Sequence, residues 1–190
     1  IERDVLKTQG RAYGVELLAK KPLGKLNGWV TYTYSKTMLK ESGVKDVYSI
    51  NDGNWYAASY DKPHDFKLIG NYKFTQRFSV SLNVDYSTGR PVTIPISKYY
   101  YGDGYRLYYS DRNAYRIPDY FRMDFAVNIE PSHNLTLWTH STITFGVYNI
   151  TGRKNAFSVY YDTNNGTKIQ GYKLSIFGAP IPYINYNIKF

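Results

Sequence analysis

The sequence predicts an all-β fold, and within that class an antiparallel transmembrane β-barrel segment of about seven strands. Apolar and polar residues alternate with period two in seven stretches, as in strands with one apolar and one polar face. The connections between these stretches alternate between short and long. The last stretch places Ile184, Tyr186, Ile188 and Phe190 on one face and ends in an aromatic residue, which suits the aromatic girdle of an outer-membrane barrel.

The composition fits strands that lie between two different environments. Aromatic residues make up 18% of the chain and include 22 tyrosines, yet the mean hydropathy is -0.49. No stretch approaches the ~18 consecutive apolar residues of a membrane helix, which excludes a helical membrane protein. The net charge of +9 comes from scattered residues, without the run of like charges that marks a nucleic-acid-binding arm. We therefore expect these charges on solvated loops and in a polar lumen.

The strands are predicted in chain order from the alternation. Their ranges are Tyr13–Lys20, Leu26–Ser35, Asp65–Phe74, Phe78–Ser87, Tyr120–Ile129, Leu135–Tyr148 and a last strand from about Lys168 or Tyr172 to Phe190. Residues Ala156–Tyr161 resume the alternation, and Asp162–Gly166 predicts a turn after them. Pro180 and Pro182 conflict with the last strand, because proline removes a donor from the ladder.

The connection lengths predict an orientation in the membrane. Short turns are expected at Lys20–Lys25, Thr75–Arg77 and Pro131–Asn134, long loops at Lys36–Tyr60 and Gly89–Pro118, and a connection of medium length after Tyr148. Outer-membrane barrels have short periplasmic turns and longer extracellular loops. A periplasmic C-terminus at Phe190 then places every longer connection on the extracellular side and every short turn on the periplasmic side.

The alternation also predicts which residues meet lipid and which line the lumen. The predicted lipid-facing residues are Leu68, Leu82, Phe125, Phe145 and Ile188. The predicted lumen-facing polar residues are Asp85, Arg122 and Asp124. For these three we favour a salt-bridge network with neighbouring strands or a plug over direct contact with a substrate. A charged side chain on the lipid face costs ~2–4 kcal/mol at the midplane, so the confinement of charge to one face is physically required.

A group of tyrosines in the second long loop is the candidate binding site. Its members are Tyr99, Tyr100, Tyr101, Tyr105, Tyr108 and Tyr109. Tyrosine supplies a large amphipathic contact surface, suited to sugars, peptides or a protein lid. The alternative is that these rings pack the loops together or anchor them at the outer interface.

The sequence predicts no catalytic residues, no metal site and no cofactor. His64 and His140 have no acidic or histidine partner at a metal-ligand spacing. The absence of cysteine excludes a disulfide framework and a thiolate site. No phosphate-binding loop, dinucleotide fingerprint or hydrolase motif is present.

These features together resemble the C-terminal part of the barrel of a TonB-dependent outer-membrane receptor. The stretches that carry the resemblance are Tyr13–Leu18, Gly28–Val30, Tyr34–Thr37, Asp61–Asp65, Ile117–Asp124, Val147–Asn155 and the terminal Phe190. Within this family the chain is most similar to the type that carries an N-terminal carboxypeptidase-regulatory-like domain before the plug, related to the SusC-like transporters.

The resemblance implies a function and a set of partners. It implies that residues 1–190 form the C-terminal part of a 22-stranded barrel in the Gram-negative outer membrane. Further strands would complete this barrel, and a plug inside it would contact the TonB energy-transduction complex. The chain opens at Ile1 without a start methionine, so we expect it to derive from a longer protein. Energy-coupled nutrient uptake is the implied function, with ligand captured by the extracellular loops and passed through the lumen.

Two other functions are compatible with parts of the pattern. The barrel could hold a surface lipoprotein or complex, with transport absent or secondary. A soluble, basic, all-β nucleic-acid-binding protein would instead need an apolar core shared by these strands. That alternative fits poorly, since each strand keeps charge off one face. The sequence does not identify a transported substrate.

Overall fold

The central element of the fold is an open, single-layered sheet of seven long antiparallel strands. The computed structural model describes residues 7–42, 49–131, 140–162, 168–176 and 178–189. The long strands are β1 (Thr8–Lys21), β2 (Leu26–Glu41), β4 (His64–Lys73), β5 (Phe78–Ser87), β10 (Tyr120–Ile129), β11 (His140–Tyr148) and β14 (Ile181–Lys189). Each pairs with the next in this order, so β1 and β14 form the two edges. The prediction of an all-β barrel segment is confirmed, with the sheet itself left open.

The shorter strands lie in the connections. They are β3 (Tyr56–Ala57), which pairs with β2, and three two-stranded ribbons formed by β6 (Pro91–Val92) with β9 (Tyr115–Arg116), β7 (Pro95–Tyr101) with β8 (Gly104–Tyr109), and β12 (Ala156–Asp162) with β13 (Gln170–Ser175). A short 3-10 turn spans Ile50–Gly53. We call residues 42–63 the first connection, 88–119 the second and 149–180 the third.

The structure corrects three strand boundaries. The first strand begins at Thr8 instead of Tyr13. The second strand continues to Glu41 instead of ending at Ser35, because its last residues pair with the beginning of β1. The last strand begins at Ile181, and residues Gln170–Ser175 belong to a hairpin with Ala156–Asp162. The third connection is consequently long, not of medium length. Residues 132–139, 163–167 and Phe190 lie outside the described residues, and the turns and strand ends expected there lie with them.

The two prolines lie where the ladder tolerates them. Pro180 precedes β14, and Pro182 is its second residue, opposite Val147 of β11. Proline is compatible with the beginning of a strand, where its missing donor does not interrupt the middle of the ladder. The conflict seen in the sequence disappears once the last strand begins at Ile181.

The register sorts side chains onto two faces of the sheet. Leu82 of β5 lies opposite Phe125 of β10, and Phe145 of β11 lies opposite both Val127 and Ile184. We call the face shared by Leu68, Leu82, Phe125, Phe145 and Ile188 the apolar face. The opposite, polar face carries Lys67, Asp85, Arg122 and Asp124 in neighbouring register positions.

In the part of the chain that the structure describes, the apolar face has no second layer packed on it. Within the described residues, the buried hydrophobic side chains are Tyr56, Ala58, Ile117 and Ala126, three of which belong to connections. Phe145 remains 45% exposed and Ile184 73% exposed. A soluble sheet would bury such residues against a core, which this fold does not provide. Among the described residues, the shared apolar core that the soluble alternative requires is therefore not seen.

An aromatic row crosses the apolar face near the long connections. Tyr32, Phe66, Tyr86 and Phe121 lie side by side in register on β2, β4, β5 and β10. A second aromatic group lies near the short turns, where the ring of Phe74 contacts those of Tyr72 and Phe78 at centroid distances of 4.8 and 5.4 Å. On the apolar face of β4 and β5, only aliphatic residues and a glycine separate the two groups. Eight residues of strand span about 26 Å, so barrel tilt gives about 20 Å between the groups, close to the ~25 Å apolar band of outer-membrane barrels.

Candidate functional site

The three long connections gather at one end of the sheet, and their attachment begins at Asp61. The side chain of this residue is fully buried. Its Oδ1 accepts a hydrogen bond from the Thr37 backbone N–H of β2 at 2.7 Å, and its Oδ2 forms an ion pair with Arg116. The Arg116 Nη1 donates to the carbonyls of Asp61 and Gly89, each at 2.9 Å. Asp61 thus holds the first connection against β2, and Arg116 joins it to the second connection.

Two asparagines extend this contact between the first and second connections. The Asn51 amide group accepts from the Arg112 N–H at 2.7 Å and donates to the Arg112 carbonyl at 3.0 Å, as a strand backbone would. The Asn113 Nδ2 donates to the Ala57 carbonyl at 2.7 Å. Both asparagines have positive φ, of 50° and 58°, a conformation that asparagine tolerates better than most residues.

The third connection attaches to β10 through Asn155. The Asn155 side chain accepts from the Phe121 N–H at 3.0 Å and donates to the Phe121 carbonyl at 2.9 Å. The pairing of β10 with β11 ends at Phe125 and Val147. Beyond this pair, the Ile150 N–H donates to the Met123 carbonyl at 2.8 Å. Asn155 therefore continues the β10 ladder with a side chain where the backbone of β11 has turned away.

Asp119, which immediately precedes β10, links the second connection to its neighbours. Its Oδ1 accepts from the Gly89 N–H at 2.9 Å, and its Oδ2 accepts from the Tyr86 hydroxyl at 2.8 Å. Arg153 of the third connection donates to the Asp119 carbonyl at 2.9 Å. The Gly89 N–H, supported by the Tyr86 hydroxyl and opposed by partial burial, holds the pKa of the Asp119 carboxyl below its ordinary value of 3.8.

This lowered pKa gives a pH prediction. A folded-state pKa below the unfolded value contributes stability that is fully present above the ordinary value of 3.8 and is lost as pH falls through the folded value. We expect acidification below the folded-state pKa of Asp119 to release the Gly89 N–H. The measurement is faster hydrogen exchange at this N–H after correction for the intrinsic rate. The Asp119→Asn variant should lack this acid-dependent step. A step of unchanged size in that variant would show that another group is responsible.

Two adjoining cavities open on the polar face beneath the connections. The junction cavity, of about 350 Å³, lies between all three connections. Its charged lining residues are Lys62 and Arg90, and Ile117, Phe157 and Ile176 supply apolar surface. The stack cavity, also about 350 Å³, is lined by Tyr120, Arg122, Tyr148, Asn149, Asn155, Ile176 and Ile181. The two cavities share Tyr120, Asn155 and Ile176.

A stack of planar groups forms one wall of the stack cavity. The rings of Tyr148 and Tyr183 are stacked, with centroids 4.2 Å apart and an interplanar angle of 15°. The Arg122 guanidinium lies 5.1 Å from the Tyr148 ring centroid, within cation–π range, and its Nε donates to Asp124 Oδ1 at 2.7 Å. The register places Tyr183 opposite Gly146. A Cβ on Gly146 would overlap the Tyr183 ring, so the stack requires glycine at this position.

The glycine requirement is directly testable. We expect Gly146→Ala to displace the Tyr183 ring and break the stack, at a cost of about 1–3 kcal/mol for an overpacked site. Tyr fluorescence and the susceptibility of the barrel to thermal unfolding in detergent would report the change. Gly70→Ala is the matched control, because a Cβ added at this position would lie 4.0 Å from its nearest neighbour, the Leu82 carbonyl oxygen. Equal effects of the two substitutions would contradict the proposed role of Gly146.

The predicted tyrosine group forms one exposed element. All six residues lie on the β7–β8 hairpin, which we call the tyrosine hairpin. Tyr100 and Tyr105 face each other across the strands with an edge-on contact at 5.4 Å, and Lys98 lies 4.8 Å from the Tyr105 ring centroid. The exposed fractions range from 51% for Tyr99 to 72% for Tyr101. The rings therefore present a surface to the surroundings, which is compatible with ligand or partner contact and with anchoring at the outer interface.

The predicted polar residues are also brought together. Asp85, Arg122 and Asp124 line one shallow cavity of about 230 Å³ on the polar face. Arg122 and Asp124 form an ion pair, and Asp85 lies opposite both Lys67 and Arg122 in the register. The remaining ion pair of this region joins Lys67 to Asp65 at 3.6 Å.

His64 has a local structural environment. Its Nδ1 lies 2.8 Å from the Tyr32 hydroxyl, and its ring lies close to that of Tyr34. Among the described residues, no group of three or more histidine, cysteine, aspartate or glutamate side chains is arranged to hold a metal ion. The side chain of His140 lies outside the part of the chain that the structure describes.

Sequence reasoning missed the residues that join the connections. Asp61, Arg116 and Asn155 were not singled out as functional, although Asp61 and Asn155 lie inside stretches that carried the family resemblance. Lys62 and Arg90 of the junction cavity were also missed. Their signal was weak, because isolated charges in a loop of irregular pattern have no periodicity to reveal which side chains converge.

Comparison with known proteins assigns the family. The family model described as "TonB dependent receptor-like, beta-barrel" matches residues 5–150. No curated protein and no solved structure matches the chain. Within the described residues, no helix is long and apolar enough to span a membrane. The chain belongs to the TonB-dependent receptor-like β-barrel family, whose members are transporters, not enzymes, and take up nutrients across the Gram-negative outer membrane.

Proposed function

We propose that this chain is the C-terminal barrel portion of an energy-coupled nutrient receptor of the SusC-like type. In this proposal the three long connections are extracellular, the short turns and the C-terminus are periplasmic, the apolar face meets lipid and the polar face lines the lumen. The observation that carries the proposal is the assembly of all three long connections at one end of the sheet, joined by Arg116, Asn51 and Asn155 over cavities on the polar face. Such an arrangement suits capture of a solute at the mouth of a lumen.

The apolar face supports the membrane placement. On β4 and β5 its aliphatic centre is bordered by two aromatic groups at about the spacing of the apolar band. Tyr86 fits an interfacial position in particular, because its ring belongs to the aromatic row and its hydroxyl reaches the Asp119 carboxylate of the second connection. An aromatic ring with a polar tip is favoured at the boundary between lipid and water.

The open sheet supports the proposed partners. Strand edges exposed to lipid leave backbone groups unsatisfied at a cost of several kcal/mol each. We propose that further strands pair with β1 and β14 to complete a barrel of 22 strands, and that a plug inside it contacts the TonB complex. The charged groups of the polar face, Lys67, Asp85, Arg122 and Asp124, are positioned to contact such a plug or a passing solute.

Ligand capture is assigned to the tyrosine hairpin and the cavities beneath the connections. The hairpin offers rigid aromatic surface at low conformational cost, and the cavities offer enclosed volume of a size typical for ligand sites, ~300–1,000 Å³. In this arrangement solute first meets the hairpin and then enters the cavities on the polar face.

Uptake measurements test the proposal. Cells that carry the full receptor should deplete its nutrient from a complex growth medium, and loss of TonB or of the proton gradient should abolish the depletion. Deletion of residues 95–109 should reduce uptake most at low solute concentration while the barrel still assembles. Uptake that is independent of TonB would contradict energy coupling, and full uptake without the hairpin would contradict its role in capture.

The exposed hairpin also favours a second candidate, a barrel that docks a surface lipoprotein. Six exposed tyrosines on one hairpin are an unusual solvent-facing surface, and tyrosine is enriched at protein interfaces. Under this candidate, replacing Tyr100 and Tyr101 with serine should release a co-purifying lipoprotein while loss of TonB has no effect on the complex. Absence of any such lipoprotein in the purified wild-type receptor would dismiss the candidate.

A further inference from the structure

The apolar face continues past the aromatic row, along the ends of β1 and β2 nearest the long connections. Beyond Tyr34, the positions of β2 on this face include Lys36 and Lys40. Arg11 of β1 lies at a level between these two lysines, opposite Met38 of β2. We call Arg11, Lys36 and Lys40 the cationic strip.

The two faces of these strand ends differ in the sign of their charge. On the side of the cationic strip, no acidic residue occupies a position of β1 within Gln9–Val15 or of β2 within Tyr32–Lys40. On the polar side, the charged residues are Glu16 and Glu41, and Glu41 Oε2 accepts from the Ile50 N–H at 2.6 Å. The ion pairs in the described part of the chain do not involve the cationic strip. Its positive charge is therefore not neutralised by the described residues.

Trp55 of the first connection fixes the direction of Arg11. The pairing of β3 places Ala57 beside Met38, so the residue two positions earlier, Trp55, extends toward the face of the cationic strip. The Arg11 guanidinium lies 4.3 Å from the Trp55 ring centroid, within cation–π range. Arg11 is thereby held on the outer side of the sheet, beside an aromatic ring of the kind favoured at a membrane–water boundary.

The distance of the strip from the aromatic row matches the lipid headgroup layer. Lys36 lies four residues beyond Tyr32 of the aromatic row, which is about 13 Å along the strand and about 10 Å along the membrane normal at barrel tilt. The headgroup layer occupies roughly 5–8 Å outside the hydrocarbon on each side of a bilayer. Lys36 therefore lies at the level of the lipid phosphates, with Arg11 about 5 Å and Lys40 about 10 Å further out.

We infer that the cationic strip binds the phosphate groups of outer-leaflet lipid. This inference rests on the membrane placement in the proposed function and adds a specific lipid contact to it. Ammonium and guanidinium groups hold phosphate with charge-assisted hydrogen bonds, and arginine can form two parallel bonds to it. A lipid is favoured over a free anion because the strip is continuous with the apolar face. The acyl chains of a lipid bound at Lys36 would lie against that face.

Native mass spectrometry of the purified full receptor in a neutral detergent tests the inference. The probes are lipid A that carries its phosphates and the same lipid A after enzymatic dephosphorylation, each added in a titration. The phosphorylated form should bind more tightly. Lys36→Gln and Arg11→Gln should each weaken its binding about fivefold, and Lys40→Gln should weaken it less, since Lys40 lies furthest from the phosphates. Lys36→Arg should retain the binding.

Matched controls separate charge on this face from charge in general. Lys20 lies on the polar face of β1, and Lys25 lies in the turn at the opposite end of the sheet. Lys20→Gln and Lys25→Gln should leave lipid A binding unchanged, while heat-modifiable gel mobility checks that every variant folds. Equal binding of the two forms of lipid A, or an equal loss of binding in the control variants, would overturn the inference.

Competition distinguishes a lipid from other occupants of the strip. Inorganic phosphate in excess should not displace lipid A, and displacement would identify a site for free phosphate and overturn the inference. A protein that co-purifies in place of lipid, and is lost in Lys36→Gln and Arg11→Gln, would overturn it as well.

Failure of this inference and failure of the proposed function have different signatures. TonB-dependent uptake by a receptor that binds both forms of lipid A equally would leave the proposed function standing without the lipid site. TonB-independent uptake, together with lipid A binding that still requires Lys36 and Arg11, would overturn the energy coupling and support the lipid site.

Discussion

Leu82→Arg is expected to prevent assembly of the barrel in the outer membrane. Leu82 lies near the middle of β5 on the apolar face, opposite Gly70 of β4 and Phe125 of β10. An arginine here would face the hydrocarbon near the midplane, at a cost of ~2–4 kcal/mol. The glycine at position 70 offers no neighbouring polar group to receive the guanidinium. We expect little heat-modifiable, protease-resistant receptor in outer-membrane fractions.

The adjacent residue provides the control. Asn83 lies on the polar face, is exposed, and lies opposite Ile69 and Asp124 in the register. Asn83→Arg should therefore assemble at close to the wild-type level, with the new cation near the Asp124 carboxylate. Equal tolerance at the two positions, or equal failure, would show that the faces of the sheet are assigned incorrectly.

Asp61→Ala is expected to detach the first connection from the rest of the molecule. The substitution removes a fully buried carboxylate, leaves the Thr37 N–H without its acceptor and deprives Arg116 of its ion-pair partner. Breaking a buried pair costs about 3–5 kcal/mol, and partial exposure of Arg116 lowers this to about 2–3 kcal/mol. Hydrogen exchange in residues 49–63 and 88–119 and at the Thr37 N–H should rise accordingly, while exchange elsewhere in the long strands remains unchanged.

Two further variants sharpen the Asp61 test. Asp61→Asn retains an acceptor for the Thr37 N–H but loses the charge, so its effect should be intermediate. Asp103→Ala removes an exposed carboxylate at the tip of the tyrosine hairpin and should not alter exchange in the first connection. If Asp103→Ala and Asp61→Ala have the same effect, Asp61 does not hold the connections together.

The seven-stranded sheet was predictable because each strand must keep charged side chains off one of its faces. Residues such as Phe66, Leu68 and Tyr72 must alternate with Asp65, Lys67 and Lys73 when one face excludes charge. The prediction of β2 stopped short at Ser35 because residues 36–41 show no such alternation. Backbone hydrogen bonds between strands do not depend on alternation of apolar and polar side chains. Residues 36–41 therefore pair with β1 although their sequence does not indicate a strand.

The error at the last strand has a different cause. Tyr172 and Leu174 alternate with polar residues as a strand should, but alternation does not identify the partner strand. Local pairing with Ala156–Asp162 closes a short loop and so costs less conformational entropy than a distant pairing. The turn residues Asp162–Gly166 follow Tyr161 and agree with a hairpin at this position.

The site was predictable only in part. The tyrosine hairpin stood out because its residues are adjacent in sequence. The Asp61–Arg116 and Asn51–Arg112 contacts join residues far apart in the chain, in segments whose irregular backbone gives no period. Their convergence depends on the relative placement of β2, β5 and β10, which becomes available only once the sheet is assembled.

Site-specific labelling tests the central claim, that the end of the sheet with the long connections faces the outside of the cell. The segment contains no cysteine, so single cysteines can be introduced without a background from this segment. Tyr101→Cys lies on the exposed tyrosine hairpin, and Gln76→Cys lies in the exposed turn between β4 and β5. A membrane-impermeant maleimide applied to intact cells should label the first variant, and should label the second only after the outer membrane is permeabilised. Labelling of Gln76→Cys but not Tyr101→Cys in intact cells would contradict the account.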